Sequence, residues 1–492
     1  MIKKYRNVFS LILMIVLTCV AQVFTLMKSS LVAGHFGTSM EMDAYNFANS
    51  IVSFIFGFVS AAISTVVIPS YVQKKHGKEV DSFITGVYGA IGIIVILVGV
   101  LRYQIVGVFS NRDEMYLNLV CNMLVILLMT NFLYSVTNIT AAYFQCIEKY
   151  NIPKILNLVT QVFVVVALIV FRNIDIIQYT WILSAGLMIN FIIDIIVAIK
   201  NGWRYRPSFL FGSDETKRLF GMFFPIILST GVYKLSLLID STIASRLETG
   251  QLSILSYSTQ IVNMVNSALI GNLLIYSYPK IVRRIKTGES QKLFWEQTSF
   301  FHLVVCLVIA GVATVGHEGI SLLFERGKFD MTATSAVFIC LLMYIFGQQV
   351  NVVRDLIYRY FYAVGDTKTA ASNSVLVSVV NITVSLILVN FIGVYGIILG
   401  TVIATFVSFV RILVKFKKKI GFEISVKKLA VSFLKNLLIM LVSIVVVYLT
   451  KWLLPVDSVI LRLLIFGTET LALFVGMTAL LKRNTLSVLK RL

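Results

Sequence analysis

The chain has 492 residues, of which 58% are hydrophobic and 13% charged, with a mean hydropathy of +0.89. That balance excludes an ordinary soluble globular domain and fits a polytopic membrane protein. The formal charge of +20 does not point to nucleic acid, because the lysines and arginines lie mainly in short loops between apolar segments and not in a patch with interleaved aromatics.

The first apolar run follows Lys3, Lys4 and Arg6 and continues to about Lys28 without a small-residue cleavage site, so it reads as a retained first helix and not as a signal peptide. Segments long enough to cross a bilayer, about 20 residues each, then recur. They lie near 8–33, 44–71, 83–110, 116–145, 152–171 and 177–199, and again near 219–246, 251–280, 295–316, 332–363, 369–392 and 394–416. Two more, near 429–450 and 457–481, bring the total to about fourteen. The runs are continuous and lack strand alternation, which excludes a closed barrel.

Loop charges give an orientation. Lys74, Lys75 and Lys78, Arg204 with Arg206, Arg283 with Arg284, and Lys417 to Lys419 all fall on one side, which the positive-inside rule makes cytoplasmic, with both termini. The two halves also echo each other. VVIPSYVQKK (66–75) answers IYSYPKIVRR (275–284), and VGVFSNRD (106–113) answers SLLFERGK (321–328). AAYFQCIEKY (141–150) answers RYFYAVGDTK (359–368). The expected organisation is an N-terminal six-helix lobe (1–200), a basic linker (201–218), a C-terminal six-helix lobe (219–416) and two additional helices with a tail (417–492). Because both repeats begin at the same face, a pseudo-two-fold along the membrane normal is expected, which is a two-lobed transporter plan.

Candidate chemistry sits inside these helices. Lys28 lies late in the first helix, and it reads either as a cavity lysine able to bind phosphate or as one snorkelling to the outer interface. Gln22, Thr25 and Ser29, with Asn46, Asn49, Ser53, Ser64 and Thr65 on the second helix, could extend a polar substrate surface or simply bind neighbouring helices. Glu41 and Asp43 precede the second helix and read as N-terminal caps or as outer-gate residues. Asp240, in the apolar run LLIDST, aligns with Lys28 across the repeat; it reads as a cation or proton site, or as an ion pair with Lys234 or Arg246. Asn381 and Ser385 share one helix face, and Thr401 follows on the next helix. One carboxylate with amide and hydroxyl oxygens suits a hard monovalent cation better than zinc or copper. Arg354, Asp355 and Arg359 read as a salt-bridge cluster or a headgroup entry site, and Arg102 and Asp194 as interface residues. The sequence holds no nucleophile–base arrangement, Walker loop or HExxH, so it offers no site for chemical catalysis, ATP hydrolysis or a bound cofactor. The five cysteines and four histidines show neither disulfide nor zinc spacing.

Five stretches together resemble the MurJ/MviN family, lipid II flippases of the multidrug/oligosaccharidyl-lipid/polysaccharide exporter superfamily. They are SSLVAGHFGTSMEMDAYNFA (29–48), AAISTVVIPSY (61–71), LLIDSTIAS (237–245), LLFERGKFD (322–330) and YRYFYAVGDTKTAASNSV (358–375). The resemblance implies alternating access for a polyprenyl-pyrophosphate-linked glycan in a bacterial cytoplasmic membrane, with the two extra helices lining a groove for the lipid tail. It also implies a sodium site in the second lobe, onto which Asp240, Asn381 and Thr401 match, with Ser385 where an acid occurs. Coupling to Na+ or H+ and contact with cell-wall synthesis proteins follow as expectations. The chain departs from the family's first-helix pattern SRxxGxxRD: Gln22 replaces one arginine, Lys28 keeps a base and Ser29 replaces the acid. The arginine pair of the second helix falls at Ile55 and Phe56, and the basic position of the eighth at Gln260. Two other functions compete, a cation-coupled multidrug exporter of the same superfamily and a non-transporting scaffold for cell-wall assembly.

Overall fold

The structure, a computed structural model, describes residues 2–481 apart from 73–76, 111, 172, 288–289 and 422–424. Every element it describes is helical except for one isolated bridge between Arg326 and Phe329. Helices are the expected outcome, since a run of this hydropathy in lipid must satisfy its backbone polar groups within itself. By compactness the chain divides into two units, Met1–Ser253 and Ile254–Leu492.

The first unit contains α1 (Ile2–Phe36), α2 (Met40–Ala62), a π-helical turn at Ile63–Val67, α3 (Ile68–Val72), α4 (Lys78–Val100), α5 (Arg102–Phe109), α6 (Glu114–Tyr134), α7 (Thr137–Cys146), α8 (Asn151–Val170), α9 (Ile176–Lys200) and α10 (Asp214–Ser245). The apolar segment read as 83–110 is broken at Leu101, where Arg102 Nη1 donates to Gly99 O at 2.9 Å and closes the end of α4. The segment 116–145 is broken between α6 and α7, where the Ser135 carbonyl accepts from the Tyr88 hydroxyl at 2.7 Å and from Asn138 N–H at 3.1 Å. The π turn lies just ahead of Pro69, whose missing N–H already interrupts the helical ladder. The connector after α9 docks on α4: Tyr205 Oη lies 2.8 Å from Thr85 Oγ1, and Ser82 Oγ donates to Ser208 Oγ at 2.8 Å. Helix α10, which opens the second sequence repeat, packs along α2 and so belongs to this unit.

The second unit takes up α11 (Gln251–Val265) from Ile254, then a π turn at Asn266–Ile270, α12 (Gly271–Thr287), α13 (Ser290–Phe324), α14 (Met331–Ala363), α15 (Thr367–Ile392), α16 (Val394–Ile420), α17 (Val426–Leu453) and α18 (Val459–Leu481). The second helix of this repeat thus carries a π turn ahead of its own proline, Pro279. Helices α15 and α16 make the closest approach: a Cβ on Gly396 would lie 2.5 Å from the Leu388 carbonyl carbon, and one on Gly400 2.2 Å from Ser385 Oγ. This is the small-xxx-small packing by which membrane helices bring backbones together. The two C-terminal helices are joined to α13 by polar links in an apolar setting. Lys451 Nζ lies 2.6 Å from Glu318 Oε1, and the hydroxyls of Thr314 and Thr470 are 2.9 Å apart.

Among the described residues eleven helical stretches are long and apolar enough to cross a membrane. The runs 40–72, 214–245 and 251–287 are of comparable length. The whole is a polytopic all-α membrane protein.

Candidate functional site

Asp43 is fully buried and is held from several directions. It does not cap its own helix; Ser39 does, accepting from Met42 N–H. Its carboxylate instead receives the start of α11: Gly250 N–H donates at 2.7 Å, Ser253 N–H at 2.8 Å and Ser253 Oγ at 2.7 Å. A carboxylate is favoured there because the first N–H groups of a helix have no partner within it and carry the positive end of its dipole. Gly250 makes the approach possible. Its φ is +93°, and a Cβ would sit 2.7 Å from Thr38 O.

Arg112, in the turn between α5 and α6, completes this latch. Its Nε donates to Ser245 O and its Nη2 to Leu247 O, both at 2.7 Å, and Nη2 lies 3.4 Å from Asp43 Oδ2. Arg246 does the converse, donating to Val108 O at 2.8 Å and Phe109 O at 3.1 Å at the end of α5. Glu41 stays half-buried in the first turn of α2.

Below the latch, α2 presents Asn46 and Ser50 to its neighbours. Asn46 Nδ2 donates to Ser253 Oγ at 3.4 Å and Ser50 Oγ to Ser241 Oγ at 2.9 Å. Further along the same helix the stem of Lys234 lies on Gly57, where a Cβ would be 2.8 Å from its Cε. Lys234 therefore does not pair with Asp240, and Arg246 is committed to the α5 carbonyls. Lys28 is half-buried on α1 and, among the described residues, neither it nor Lys234 has a hydrogen-bond acceptor or an ion-pair partner. Around Lys28, Thr25 Oγ1 donates to Ala21 O and Ser29 Oγ to Thr25 O, which spends both hydroxyl protons on their own helix. Gln22 is half-buried and Asn49 exposed, whereas the side chain of Ser64 lies outside the described residues. Gln260, half-buried on α11, belongs to the second unit.

The expected cation set divides likewise. Asp240 is buried in the first unit, 7% exposed. In the second, Asn381, Ser385 and Thr401 do meet: Thr401 Oγ1 donates to Asn381 Oδ1 at 3.0 Å and Ser385 Oγ to the same oxygen at 3.3 Å. Both hydroxyls also reach Ile397 O, at 3.3 and 3.2 Å. The cluster thus brings four oxygens together, Asn381 Oδ1, Ser385 Oγ, Thr401 Oγ1 and Ile397 O.

Asp194 is not an interface residue: it is 2% exposed and accepts from Thr140 Oγ1. Arg354 pairs with its neighbour Asp355 at 3.0 Å, with its guanidinium over Tyr358. The motif stretches are turn-makers. In LLFERGKFD, Gly327 takes φ +59°, Phe329 buries against Tyr257 and Phe324, and Asp330 caps α14. In GDTK, Asp366 caps α15 through Thr369 and binds Lys419 Nζ at 2.8 Å. The hydrogen bonds from Lys419 and Thr369 hold the Asp366 carboxyl well below the usual range, at about 2.

A multi-pass helical bundle that buries carboxylates and holds half-buried lysines in apolar helices is a membrane protein of the transporter class. The model of the family described as lipid II flippase MurJ matches residues 32–466, and the chain belongs to that family. Among its relatives are the probable lipid II flippases MurJ of Rickettsia prowazekii (strain Madrid E), 23% identical over 80% of each chain, and of Thermotoga maritima, 27% identical over 83% of this chain and 86% of that one. The fold matches that of a lipid II flippase MurJ solved in an inward closed conformation, with a TM-score of 0.82 at 20% identity, over 96% of this chain and 100% of that one. It also matches an inward-facing multidrug resistance MATE family transporter, with a TM-score of 0.69 at 11% identity over 82% of this chain and 94% of the other.

Proposed function

We propose that this protein flips lipid II, or a closely related polyprenyl-pyrophosphate-linked glycan, across the bacterial cytoplasmic membrane by alternating access. The observation that carries the reading is the family match over residues 32–466, joined by a fold match spanning nearly the whole chain. Transport, in this reading, involves no bond chemistry and no resident cofactor, and both termini face the cytoplasm. Enzymes that build the lipid-linked glycan must supply it on that side, and enzymes that polymerise it must consume it on the other.

Lys28 and Lys234 are the substrate's basic contacts. An ammonium left without a counter-ion in an apolar helix costs at least a few kcal/mol, and a pyrophosphate entering beside it would offset that cost. Lys234 stands in for charge the family places elsewhere, because its stem crosses Gly57, next in sequence to the arginine-to-Phe56 replacement. The Asp43 latch is made and released as access alternates. Asp240 and the Asn381–Ser385–Thr401 oxygens would respond to Na+ or H+, biasing that exchange.

Reconstitution into proteoliposomes with a panel of lipid-linked glycans tests the proposal. Flipping of at least one polyprenyl-pyrophosphate glycan is expected. Lys28→Ala and Lys234→Ala should each weaken its binding roughly 10- to 100-fold, the worth of one charged hydrogen bond, while Lys28→Arg retains most of it. No flipping of any such lipid, together with efflux of small organic cations, would favour an exporter instead.

A further inference from the structure

Helices α12, α13 and α17 of the second unit enclose an open cavity of about 1300 Å3. Among the described residues five cations line it, Lys280, Arg283 and Arg284 from α12, Lys292 from α13 and Lys428 from α17, against one acid, Glu296. Helical spacing explains how they meet: 280, 283 and 284 fall at i, i+3 and i+4 on one face, and 292 lies one turn before 296. The positive-inside rule requires cations in these connections, but it does not require three helices to aim them into one concavity, where their mutual repulsion is unfavourable to folding.

The floor of the cavity is built rather than incidental. Ser432, which lines it, lies 2.9 Å from Ser299 across the α13–α17 seam. One turn deeper, Asn436 Nδ2 bonds Ser299 O at 3.2 Å and His302 Nδ1 at 2.9 Å, and the His302 ring stacks on Phe433 with centroids 3.8 Å apart. These contacts fix α17 against α13 and hold Lys428, one turn before Ser432, at the rim. Trp295, half-buried in the wall, supplies the amphipathic ring typical of the headgroup level.

We propose that this cavity is a binding site for the phosphate-bearing headgroup of a membrane lipid. The volume exceeds what a single phosphate fills and suits a headgroup carrying two, as in a bis-phosphate phospholipid or a polyprenyl pyrophosphate. Its placement in the cytoplasmic leaflet rests on the orientation proposed above; the binding itself does not.

Native mass spectrometry of the purified full-length chain in detergent tests the site, with cardiolipin, farnesyl pyrophosphate and phosphatidylcholine as probes. Arg283 and Lys428 are exposed at the rim, so Arg283→Gln with Lys428→Gln should leave folding intact, as checked by thermal unfolding. Each cation near a phosphate headgroup is worth about a factor of five, so the double variant should lose roughly 30-fold in affinity for a charged probe. Loss confined to cardiolipin identifies a phospholipid site, and loss confined to farnesyl pyrophosphate identifies a reception site for the substrate's own headgroup. The control is Lys417→Gln with Lys418→Gln, two exposed cations at the end of α16. An equal loss in the control, no loss in the double variant, or phosphatidylcholine binding as tightly as the charged probes would overturn the site. Flipping without this binding would remove the cavity's role and leave the flippase reading intact.

Discussion

Asp43→Asn is the most informative single change because it keeps the volume and alters only charge and acceptor number. Asp43 presents two oxygens to Gly250 N–H, Ser253 N–H and Ser253 Oγ, all within 2.8 Å, in a position with no solvent exposure. The asparagine amide must turn its NH2 toward at least one backbone N–H. One charge-assisted bond is then lost, roughly 1.5–3 kcal/mol, and a buried donor faces another donor, roughly 1–3 kcal/mol more. Arg112 keeps its carbonyl partners Ser245 O and Leu247 O, so no buried guanidinium is stranded and the low end of the sum applies. The latch should weaken by ~3 kcal/mol, or roughly two powers of ten in its opening equilibrium. Hydrogen exchange read by mass spectrometry reports this directly, as a loss of protection of about that size in the stretch 250–253. Ser39→Ala, which removes only the α2 cap, should leave that stretch unchanged. Unaltered protection of Gly250 and Ser253 in Asp43→Asn would refute the claim that the carboxylate holds this turn.

Three further outcomes follow from the geometry. Asp240→Asn should abolish the dependence of flipping on sodium or pH gradients while leaving lipid binding in place; transport that still responds to both gradients rules out a coupling role for this carboxylate. Gly396→Ala should destabilise by roughly 1–3 kcal/mol, since its Cβ would meet Leu388 backbone that cannot yield, whereas Gly311→Ala, with open space around it, should be silent in the same thermal unfolding series. The Asp366 carboxyl, depressed to about 2 chiefly by Lys419 and Thr369, contributes stability that is complete above its ordinary value near 4 and is lost as pH falls through about 2. Because Lys419 is half-exposed, screening keeps this contribution to ~1 kcal/mol. Asp366→Asn should flatten stability across that acid window, and an unchanged acid limb would show that the pair contributes nothing there.

Helical segments, their order and the repeat were legible in the residues because hydropathy is a local property: lipid leaves a long apolar run no alternative to a helix. The fourteen expected segments correspond to α1 through α18 once four interruptions are allowed for, at Leu101, between α6 and α7, and at the π turns Ile63–Val67 and Asn266–Ile270, and such interruptions turn on single backbone groups that no hydropathy window registers. The polar residues behaved differently. Asp43 was visible as a helix-terminal acid, but the helix start it holds is 207 residues away. Lys234 looked like a partner for Asp240 six residues on, yet its stem lies across Gly57 of another helix. Arg283 and Arg284 read as a topology signal, yet they share one cavity with Lys280, Lys292 and Lys428 from three helices. Composition and span thus belong to the sequence alone, because each follows from the free energy of placing a local run in lipid or water. The partner of each charge belongs to the tertiary structure, because a buried polar group is satisfied by whichever distant element packing brings within about 3 Å of it.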